Sequence, residues 1–238
     1  MTLPIFTARC TRHSKIAHEV FEFALEKPVG FSFKAGQFVM FQVPLIGNPA
    51  DIQGRAFSIA SAPSEADLLF VAKIKQGGRA GRWISEVLKA GDEVKLQGPL
   101  GAFTLAPGGE GGLLFIATCT GVAPLRSQIV EALARGDARS MDLFFCVRSE
   151  EDLFWADELG AIAREHKNLR VHLTLSRPSP AWKGLTGHVQ DVAPQVIADL
   201  SARSILVCGA PEMVKAVKTK ATEEWGIPKE RVHAEDYV

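Results

Sequence analysis

The sequence carries no excess charge of either sign. Its 238 residues include 27 lysines and arginines against 27 aspartates and glutamates, and no arm or run concentrates the positive charge. A nucleic acid or an acidic membrane surface therefore finds no electrostatic attraction along this chain. We expect neither a nucleic-acid partner nor a membrane partner.

Long hydrophobic runs are also missing. No apolar segment approaches the roughly 20 residues that a bilayer-spanning helix needs. The first six residues, MTLPIF, lack the basic region and the long apolar core of a signal peptide. A hydrophobic content of 47% with 23% charged residues is typical of a folded globular protein. We expect a cytoplasmic protein of one large domain or two ordinary ones.

Cysteine and histidine are too scattered to predict a metal centre. Cys10, Cys119, Cys146 and Cys208 lie far apart, and neither they nor the six histidines form a C-x2-C or related spacing. We expect reduced thiols and no bound metal. A G-x-G-x-x-G fingerprint is absent as well, so no motif supports the usual dinucleotide-binding fold.

The first half of the chain has the pattern of a small antiparallel β-barrel. Segments rich in Val, Ile and Phe alternate with turn residues, and helices are few. Strands are predicted at residues 5–10, 17–25, 37–44, 56–60, 68–75 and 93–97. One helix is predicted over 81–88, with Ile84, Val87 and Leu88 facing the core.

After a glycine-rich linker at 107–112, strands and helices alternate. This rhythm predicts a doubly wound parallel α/β sheet. Strands are predicted at 113–117, 141–147, 170–175, 205–208 and 232–237, and helices at 124–134, 152–165, 189–198 and 211–225. We therefore divide the chain into a barrel domain, residues 1–106, and an α/β domain, residues 111–238.

A strand, a small-residue turn and a helix start follow one another in residues 113–127. Residues 113–117 are almost all apolar, residues 118–121 are Thr-Cys-Thr-Gly, and Pro124 lies just inside the helix, where its missing N–H costs nothing. Free backbone amides and the positive helix end suit a phosphate or pyrophosphate. An ordinary strand-to-helix turn remains the alternative.

Two places in the barrel half also suit a ligand. Arg55 offers a planar fork for a phosphate, Phe57 a flat face for a ring system, and Ser58 a hydroxyl. The glycine-rich residues 77–81 lead into a helix and form a second possible anion site. The alternatives are an ordinary strand with a surface arginine and a core phenylalanine, and a simple loop.

In a doubly wound sheet, ligands lie at the carboxyl ends of the strands. Those ends supply residues 118–121, Arg148, Ser176 with Arg177, and residues 208–211. Cys208 is placed at a strand tip, where a small buried core residue is the alternative interpretation.

Taken together, these segments resemble the ferredoxin–NADP reductase-like family of flavoprotein oxidoreductases over nearly the whole chain. The segments that carry the resemblance are Arg55-Ala-Phe-Ser58, Gly77-Gly-Arg-Ala-Gly81, Gly98-Pro-Leu-Gly101, Thr120-Gly-Val-Ala-Pro124, Cys208-Gly-Ala-Pro-Glu-Met213 and Glu235-Asp-Tyr237. Each alone is weak. All six occur in the right order.

The resemblance implies that the barrel holds FAD. Arg55 is then a ligand of the flavin phosphate, Phe57 packs on the isoalloxazine where the family more often has tyrosine, and Ser58 donates a hydrogen bond near N5. The other residues assigned to the flavin site are Ala56, Ala72, Lys73, Ile74, Gly77, Gly78, Arg79, Ala80 and Gly81. Backbone amides around residues 78–81 are expected to hold the pyrophosphate.

The resemblance also implies that the second domain holds NADPH or NADH. The residues assigned to the nucleotide are Thr120, Gly121, Pro124, Ser176, Arg177, Cys208, Gly209 and Met213. Ser58, Cys208 and Glu235 form the implied catalytic set, with Cys208 close to the nicotinamide and Glu235 poising hydride transfer. Ser176 and Arg177 resemble a 2′-phosphate grip and favour NADPH, whereas residues 182–189 resemble oxygenase reductases that use NADH.

The implied activity is hydride transfer from NAD(P)H to FAD, with electrons passing to a separate ferredoxin or flavodoxin. The alternatives are the reductase component of an oxygenase, a free-flavin reductase and an electron-transfer subunit of a larger complex. Three residues depart from the family pattern. Gly81 replaces a usual Ser or Thr, Cys119 replaces a common glycine, and Tyr237 fits a Glu-x-aromatic ending better than a flavin-stacking terminal tyrosine.

Overall fold

The computed structural model describes residues 4–75, 77–106, 108–109 and 111–237, which form two compact units. The first unit comprises Met1–Leu105 with Arg126–Glu131, and the second comprises Ala106–Leu125 with Ala132–Val238. Pro107 and Glu110 of the predicted linker lie outside the described residues.

The first unit is a six-stranded antiparallel sheet. Its strands are β1 (Ile5–Ala17), β2 (Val20–Glu26), β3 (Phe38–Leu45), β4 (Asn48–Ser58), β5 (Asp67–Lys73) and β6 (Glu93–Leu100). Their order in the sheet is β4-β3-β6-β1-β2-β5. The two edges meet just beyond β4, where the N–H of Ala60 donates to the carbonyl of Leu69 at 2.8 Å, so the sheet curls into a barrel.

Alternating side chains fill this barrel. Along β3, Val39, Phe41 and Val43 are completely buried while the residues between them are partly exposed. Phe41 contacts Phe70 and Phe23 with ring centroids 4.8 and 5.8 Å apart. Period-2 burial of this kind fixes which face of each strand points into the core.

The helical segment of the first unit differs from its prediction. Helix α1 (Arg79–Arg82) continues as a π-helical turn over Trp83–Val87, in which the N–H of Leu88 donates to the carbonyl of Trp83 at 2.9 Å. The wider turn rotates the following residues relative to an α-helix. Ile84 and Leu88 are buried as predicted, but Val87 is 40% exposed, so its assignment to the core was wrong.

The second unit is a six-stranded parallel sheet with helices between the strands. The strands are β7 (Gly112–Thr118), β8 (Met141–Val147), β9 (Leu169–Leu175), β10 (Leu185–Thr186), β11 (Arg203–Gly209) and β12 (Val232–Asp236). The helices are α2 (Val122–Ala134), of which Arg126–Glu131 is grouped with the first unit, α3 (Ala156–Glu165), α4 (Val189–Val196) and α5 (Pro211–Glu223). The predicted fold class, an antiparallel barrel followed by a doubly wound parallel sheet, is confirmed.

The strand order of this sheet, β10-β9-β8-β7-β11-β12, fixes where a ligand is expected. From β7 the chain first builds outward through β8 and β9, then returns to place β11 on the other side of β7. The carboxyl ends of β7 and β11 therefore flank the point where the strand order reverses. Ligands bind at this point in open α/β sheets.

Two further properties concern the described part of the chain. No helix there combines the length and the apolar character needed to cross a bilayer. Nor do three or more histidine, cysteine or acidic side chains gather within it in a way that would hold a metal ion.

Candidate functional site

In the barrel lies Arg55, the predicted phosphate ligand. The side-chain hydrogen bonds that the structure gives Arg55 are made to residues of its own strand. Its guanidinium donates to the carbonyl of Gly54 at 2.8 Å and to the side-chain oxygen of Gln53. Both acceptors are sequence neighbours, so exchanging them for a phosphate breaks no contact between elements. A guanidinium fork in this setting fits a phosphate group.

Phe57 and Ser58 end strand β4. The ring of Phe57 is half-buried and contacts the rings of Phe41 and Phe23, with centroids 5.1 and 6.1 Å apart. One part of the ring therefore rests on the barrel core while another part remains accessible, and an accessible aromatic face fits a flat ring system. Ser58 is half-buried and pairs in register with Phe38, whereas Ala56 is exposed beside Met40.

The end of β5 is tied to the β1–β2 turn. The ammonium of Lys73 donates to the carbonyl of His18, and the N–H of Ile74 donates to the carbonyl of Glu19, both at 2.7 Å. Ala72 is buried in the barrel. These contacts fix the point from which the glycine-rich turn departs.

The glycine-rich turn leads into helix α1. Gly78 is the N-cap, and the N–H of Arg82 makes the first helical bond to the Gly78 carbonyl at 3.0 Å. The preceding N–H groups, those of residues 79–81, have no acceptor within the helix. Ala80 packs against the barrel core. Amides presented in this way fit a pyrophosphate, which is the group implied by the resemblance.

Arg79 makes a contact that the sequence did not predict. Its Nη1 and Nη2 donate to Oδ1 and Oδ2 of Asp51, both at 3.0 Å, and Nη1 also donates to the Asp51 backbone carbonyl at 2.9 Å. Asp51 lies 28 residues earlier in the chain. An isolated aspartate within a hairpin gives no local signal, so only the fold reveals this pair.

In the second unit, the ends of β7 and β11 touch backbone to backbone. Gly121 and Gly209 permit the approach, because a Cβ on Gly209 would lie 2.1 Å from the hydroxyl of Thr118. That hydroxyl accepts a hydrogen bond from the N–H of Ala210 at 2.9 Å, next to the start of α5. Thr118 thus links the two turns at the switch point, a role that sequence reasoning missed.

The turn after β7 is a 3₁₀ helix, Cys119–Gly121, that runs directly into α2. Cys119 takes a φ of +49°, a left-handed conformation that glycine adopts without strain. The chain therefore makes this turn without the glycine common in the family. Thr120 is half-buried, and Pro124 is buried in the first turn of α2.

Cys208 is completely buried at the end of β11, in register with Glu235 of β12. Burial raises the pKa of the Cys208 thiol, and the negative charges of Glu235 and Asp236 raise it further, against a hydrogen bond with the Tyr237 side chain that lowers it. The side chain is therefore a neutral thiol at ordinary pH. Glu235 itself is half-buried, and Met213 packs against the core of this unit.

The predicted 2′-phosphate residues follow β9 at the same edge of the sheet. The N–H groups of Ser176 and Arg177 donate to the carbonyls of Val147 and Arg148 at 3.1 and 2.8 Å, and Arg177 is exposed. Glu150 then accepts bonds from the N–H and the hydroxyl of Ser179, at 3.0 and 2.6 Å. The backbone is thus held by hydrogen bonds on both sides of Arg177. The sequence did not reveal that Glu150 holds one of these sides through Ser179.

A surface cavity of about 700 Å³ lies away from this edge. Its walls include Lys218 and Thr222 of α5, the following Lys229, and Val232 at the first position of β12. These residues belong to the amino edge of the sheet, opposite the carboxyl ends of the strands. The cavity is therefore not the ligand site that the strand order indicates.

Comparisons with known proteins define the class of protein. Residues 8–105 match the oxidoreductase FAD-binding domain, and residues 115–219 match the oxidoreductase NAD-binding domain. A barrel of the first kind followed by an α/β unit of the second makes this chain an FAD- and NAD(P)-binding flavoprotein oxidoreductase.

More particularly, the chain belongs to the ferredoxin–NADP reductase-like family. It is 37% identical over 240 residues to ferredoxin–NADP reductase B of Sorangium cellulosum, spanning 98% of this chain and 97% of that protein. It is 33% identical to the ferredoxin–NAD(P)(+) reductase component of the Pseudomonas putida naphthalene 1,2-dioxygenase system, over 90% of this chain but 62% of that protein.

Solved structures show the same architecture. A cytochrome P450 reductase of Amycolatopsis superposes with a TM-score of 0.86 at 30% identity, over 99% of this chain and 71% of that one. A ferredoxin–NADP+ reductase of Neisseria gonorrhoeae, solved with FAD and NADP, superposes with a TM-score of 0.82 over 98% of both chains. At 20% identity, the second likeness concerns the fold alone.

Proposed function

We propose that this chain takes reducing equivalents from NAD(P)H and delivers them to a separate electron-acceptor protein, a ferredoxin or a flavodoxin. The observation that carries the proposal is the match to a ferredoxin–NADP reductase over 97% of that protein's length. Bound FAD supplies the chemistry, since a flavin accepts two electrons as a hydride and releases them singly. The chain's residues bind, orient and shield the reactants.

Within this proposal, residues 1–106 form the flavin domain. Arg55 binds a phosphate of FAD, the N–H groups at the start of α1 bind the pyrophosphate, and Phe57 packs on the flavin ring. The local hydrogen bonds of Arg55 and the accessible part of the Phe57 ring support these roles. The hydroxyl of Ser58 would serve as the hydrogen-bond donor toward the flavin N5. The remaining flavin contacts come from Ala56, Ala72, Lys73, Ile74, Gly77, Gly78, Ala80 and Gly81.

Residues 111–238 form the nucleotide domain. Thr120, Gly121 and Pro124 frame the nucleotide at the switch point, with Gly209 and Met213 beside them. Cys208 would present a neutral thiol to the nicotinamide, and Glu235 would be the acid that helps poise the hydride-transfer site. The match of residues 115–219 to the NAD-binding domain supports this assignment.

We propose NADPH as the preferred nucleotide, with Ser176 and Arg177 binding its 2′-phosphate. The exposed Arg177 side chain, carried on a backbone that is anchored on both sides, supports this choice. A guanidinium is well suited to a phosphate because it donates two parallel hydrogen bonds. We place the protein in the cytoplasm, in keeping with four cysteines that are all reduced.

A second candidate function is the reductase component of an oxygenase. It is favoured by the 33% identity to the reductase component of the naphthalene dioxygenase system and to that of phenol 2-monooxygenase. This chain spans 62% of the first protein and 54% of the second. The partners of those longer proteins are therefore not assigned to this chain. A free-flavin reductase or an electron-transfer subunit of a larger redox complex would use the same two domains.

The proposal is tested by reconstituting the chain with FAD and measuring NADPH oxidation against ferredoxin, flavodoxin and free flavin as acceptors. We expect FAD to remain bound through gel filtration and the protein acceptors to be reduced faster than free flavin. Loss of FAD on the column together with faster reduction of free flavin would overturn the proposal in favour of a free-flavin reductase. If an oxygenase component is reduced while ferredoxin and flavodoxin are not, the second candidate function is favoured.

A further inference from the structure

The pair formed by Arg79 and Asp51 joins two elements of the barrel unit. The Arg79 side chain is 13% exposed and the Asp51 side chain 41%. Hydrogen bonding by Arg79 lowers the pKa of the Asp51 carboxyl, and the reciprocal bond raises the pKa of Arg79. Both members are therefore charged at neutral pH.

Asp51 lies near the tip of the β3–β4 hairpin, four residues before Arg55 on the same strand. Strand β4 is an edge strand, so its ladder pairing joins it to β3 alone. Arg79 is the first residue of α1, at the helix start proposed to hold the pyrophosphate. The pair thus connects the strand that carries one proposed phosphate ligand with the turn that carries the others.

We propose that Arg79 is a positioning residue for FAD and not a phosphate ligand. With Asp51 it locks the β3–β4 hairpin to the start of α1 and so preorganises the phosphate site formed by Arg55 and the α1 amides. This inference rests on the proposed binding of FAD by the barrel. It reassigns Arg79, which the resemblance placed among the direct cofactor contacts.

The geometry of the guanidinium carries the argument. Two parallel N–H groups already face one carboxylate, and Nη1 also serves the Asp51 carbonyl. The edge formed by Nη1 and Nη2 therefore binds another anion only by giving up Asp51, and Nε with one N–H of Nη2 are the donors not used by this pair. The two hydrogen bonds that the structure gives the Arg55 guanidinium are made to neighbours on its own strand, and neither is to a carboxylate.

The two possible roles of Arg79 predict opposite effects of removing the Asp51 charge. If Arg79 bound phosphate through the edge that now faces Asp51, Asp51 would compete with FAD, and Asp51→Asn would free that edge and tighten binding. If the pair is a clamp, the same substitution unlocks the hairpin. Ordering the hairpin then has to occur on binding, which weakens affinity.

The experiment measures the Kd of FAD for the apoprotein by quenching of flavin fluorescence. We expect Asp51→Asn and Arg79→Lys each to raise Kd by about 3- to 10-fold, because a partly exposed pair contributes modestly and lysine cannot form the fork. The double variant is expected to bind no more weakly than the weaker single variant, since both changes break the same link. Thermal unfolding of the apoproteins checks that each variant is folded.

The matched control is Glu86→Gln. Glu86 receives two bonds from Arg82 at 3.2 Å, but that pair lies within one helical segment and joins no separate elements. We expect its Kd to stay within about twofold of wild type. Equal or tighter FAD binding by Asp51→Asn, or a double variant that binds FAD more weakly than the weaker of the two single variants, would overturn the clamp. Failure of the wild-type chain to bind FAD would instead contradict the proposed function itself.

Discussion

Gly121 lies against the backbone of Cys208, and no side chain fits between them. A Cβ on Gly121 would stand 2.3 Å from the carbonyl oxygen of Cys208, 2.5 Å from its carbonyl carbon and 2.7 Å from the Cα of Gly209. Backbone atoms within a sheet cannot swing aside as the end of a flexible side chain can. The contact therefore fixes how the nucleotide turn after β7 meets the end of β11.

Gly121→Ala is expected to destabilise the protein by about 2–4 kcal/mol and to weaken NADPH binding, because the two turns must separate to admit the methyl group. Urea unfolding and nucleotide titration measure the two effects. Gly160→Ala is the control, since its Cβ meets only the mobile end of Arg164 at 3.4 Å within helix α3. We expect that control to be neutral or slightly stabilising. A Gly121→Ala protein as stable as wild type would contradict the contact.

Asp142 is a completely buried carboxylate in the parallel sheet. It accepts two bonds from Arg170 and one from His172, each at 2.8 Å, and pairs with Arg203 at 3.0 Å. Burial alone raises the pKa of Asp142, but the hydrogen bonds of His172 and Arg170 and the neighbouring positive charges outweigh it and lower the pKa to about 2. The cluster ties β8, β9 and β11 together.

Asp142→Asn is expected to lower the free energy of unfolding at pH 7 by about 2 kcal/mol or more. The folded-state pKa lies below the ordinary value, so the carboxylate's contribution is present above about pH 4 and is lost as pH falls through about 2. The difference between variant and wild type should therefore shrink across that range in urea titrations at several pH values. A difference that stays constant from pH 7 to pH 2 would contradict this account.

The Cys208 thiol is expected to act in its neutral form. Because burial raises its pKa, its ionisation should not appear in the rate of reduction by NADPH below about pH 9. Stopped-flow rates across pH 6–9 test this for wild type and Cys208→Ser. We expect the pH profiles of wild type and Cys208→Ser to have the same shape, even if the two proteins differ in absolute rate. An ionisation between pH 7 and pH 9 that vanishes in the serine variant would show a thiolate role instead.

Arg177 is expected to discriminate between the two nucleotides. Arg177→Ala should raise KM for NADPH about 10-fold or more while changing KM for NADH little, because only NADPH carries the 2′-phosphate. Steady-state kinetics with both nucleotides measure the split, and Lys95→Ala, at an exposed position of β6 in the barrel, serves as a control for general loss of positive charge. Equal losses for both nucleotides would remove Arg177 from phosphate recognition.

Continuous burial made some elements predictable from sequence. The segment 141–147 was predicted as a strand, and all seven of its residues are buried between helices in the parallel sheet. Strand β4 was predicted only from residue 56, although it begins at Asn48. Its first part, Asn-Pro-Ala-Asp-Ile-Gln-Gly, has no apolar alternation, because an edge strand paired on one side needs none.

The sequence proposes candidate site residues where one short segment holds the chemistry, and it gives no signal where distant residues meet. The end of β4 and the turn after β7 were proposed because a glycine, a proline or an arginine marks each of them locally. Asp51 with Arg79, Thr118 with Ala210 and Glu150 with Ser179 are each brought together by the fold. Val87 was wrongly assigned to the core because no residue pattern in this segment predicts a π-helical turn.

The most direct test of the central claim is the visible spectrum of the purified protein during anaerobic titration with NADPH and then with NADH. The account predicts flavin absorption bands, present as purified or after addition of FAD, that bleach as NADPH is added in about equimolar amount. A folded chain that stays colourless, takes up no FAD and leaves both nucleotides unoxidised would contradict it.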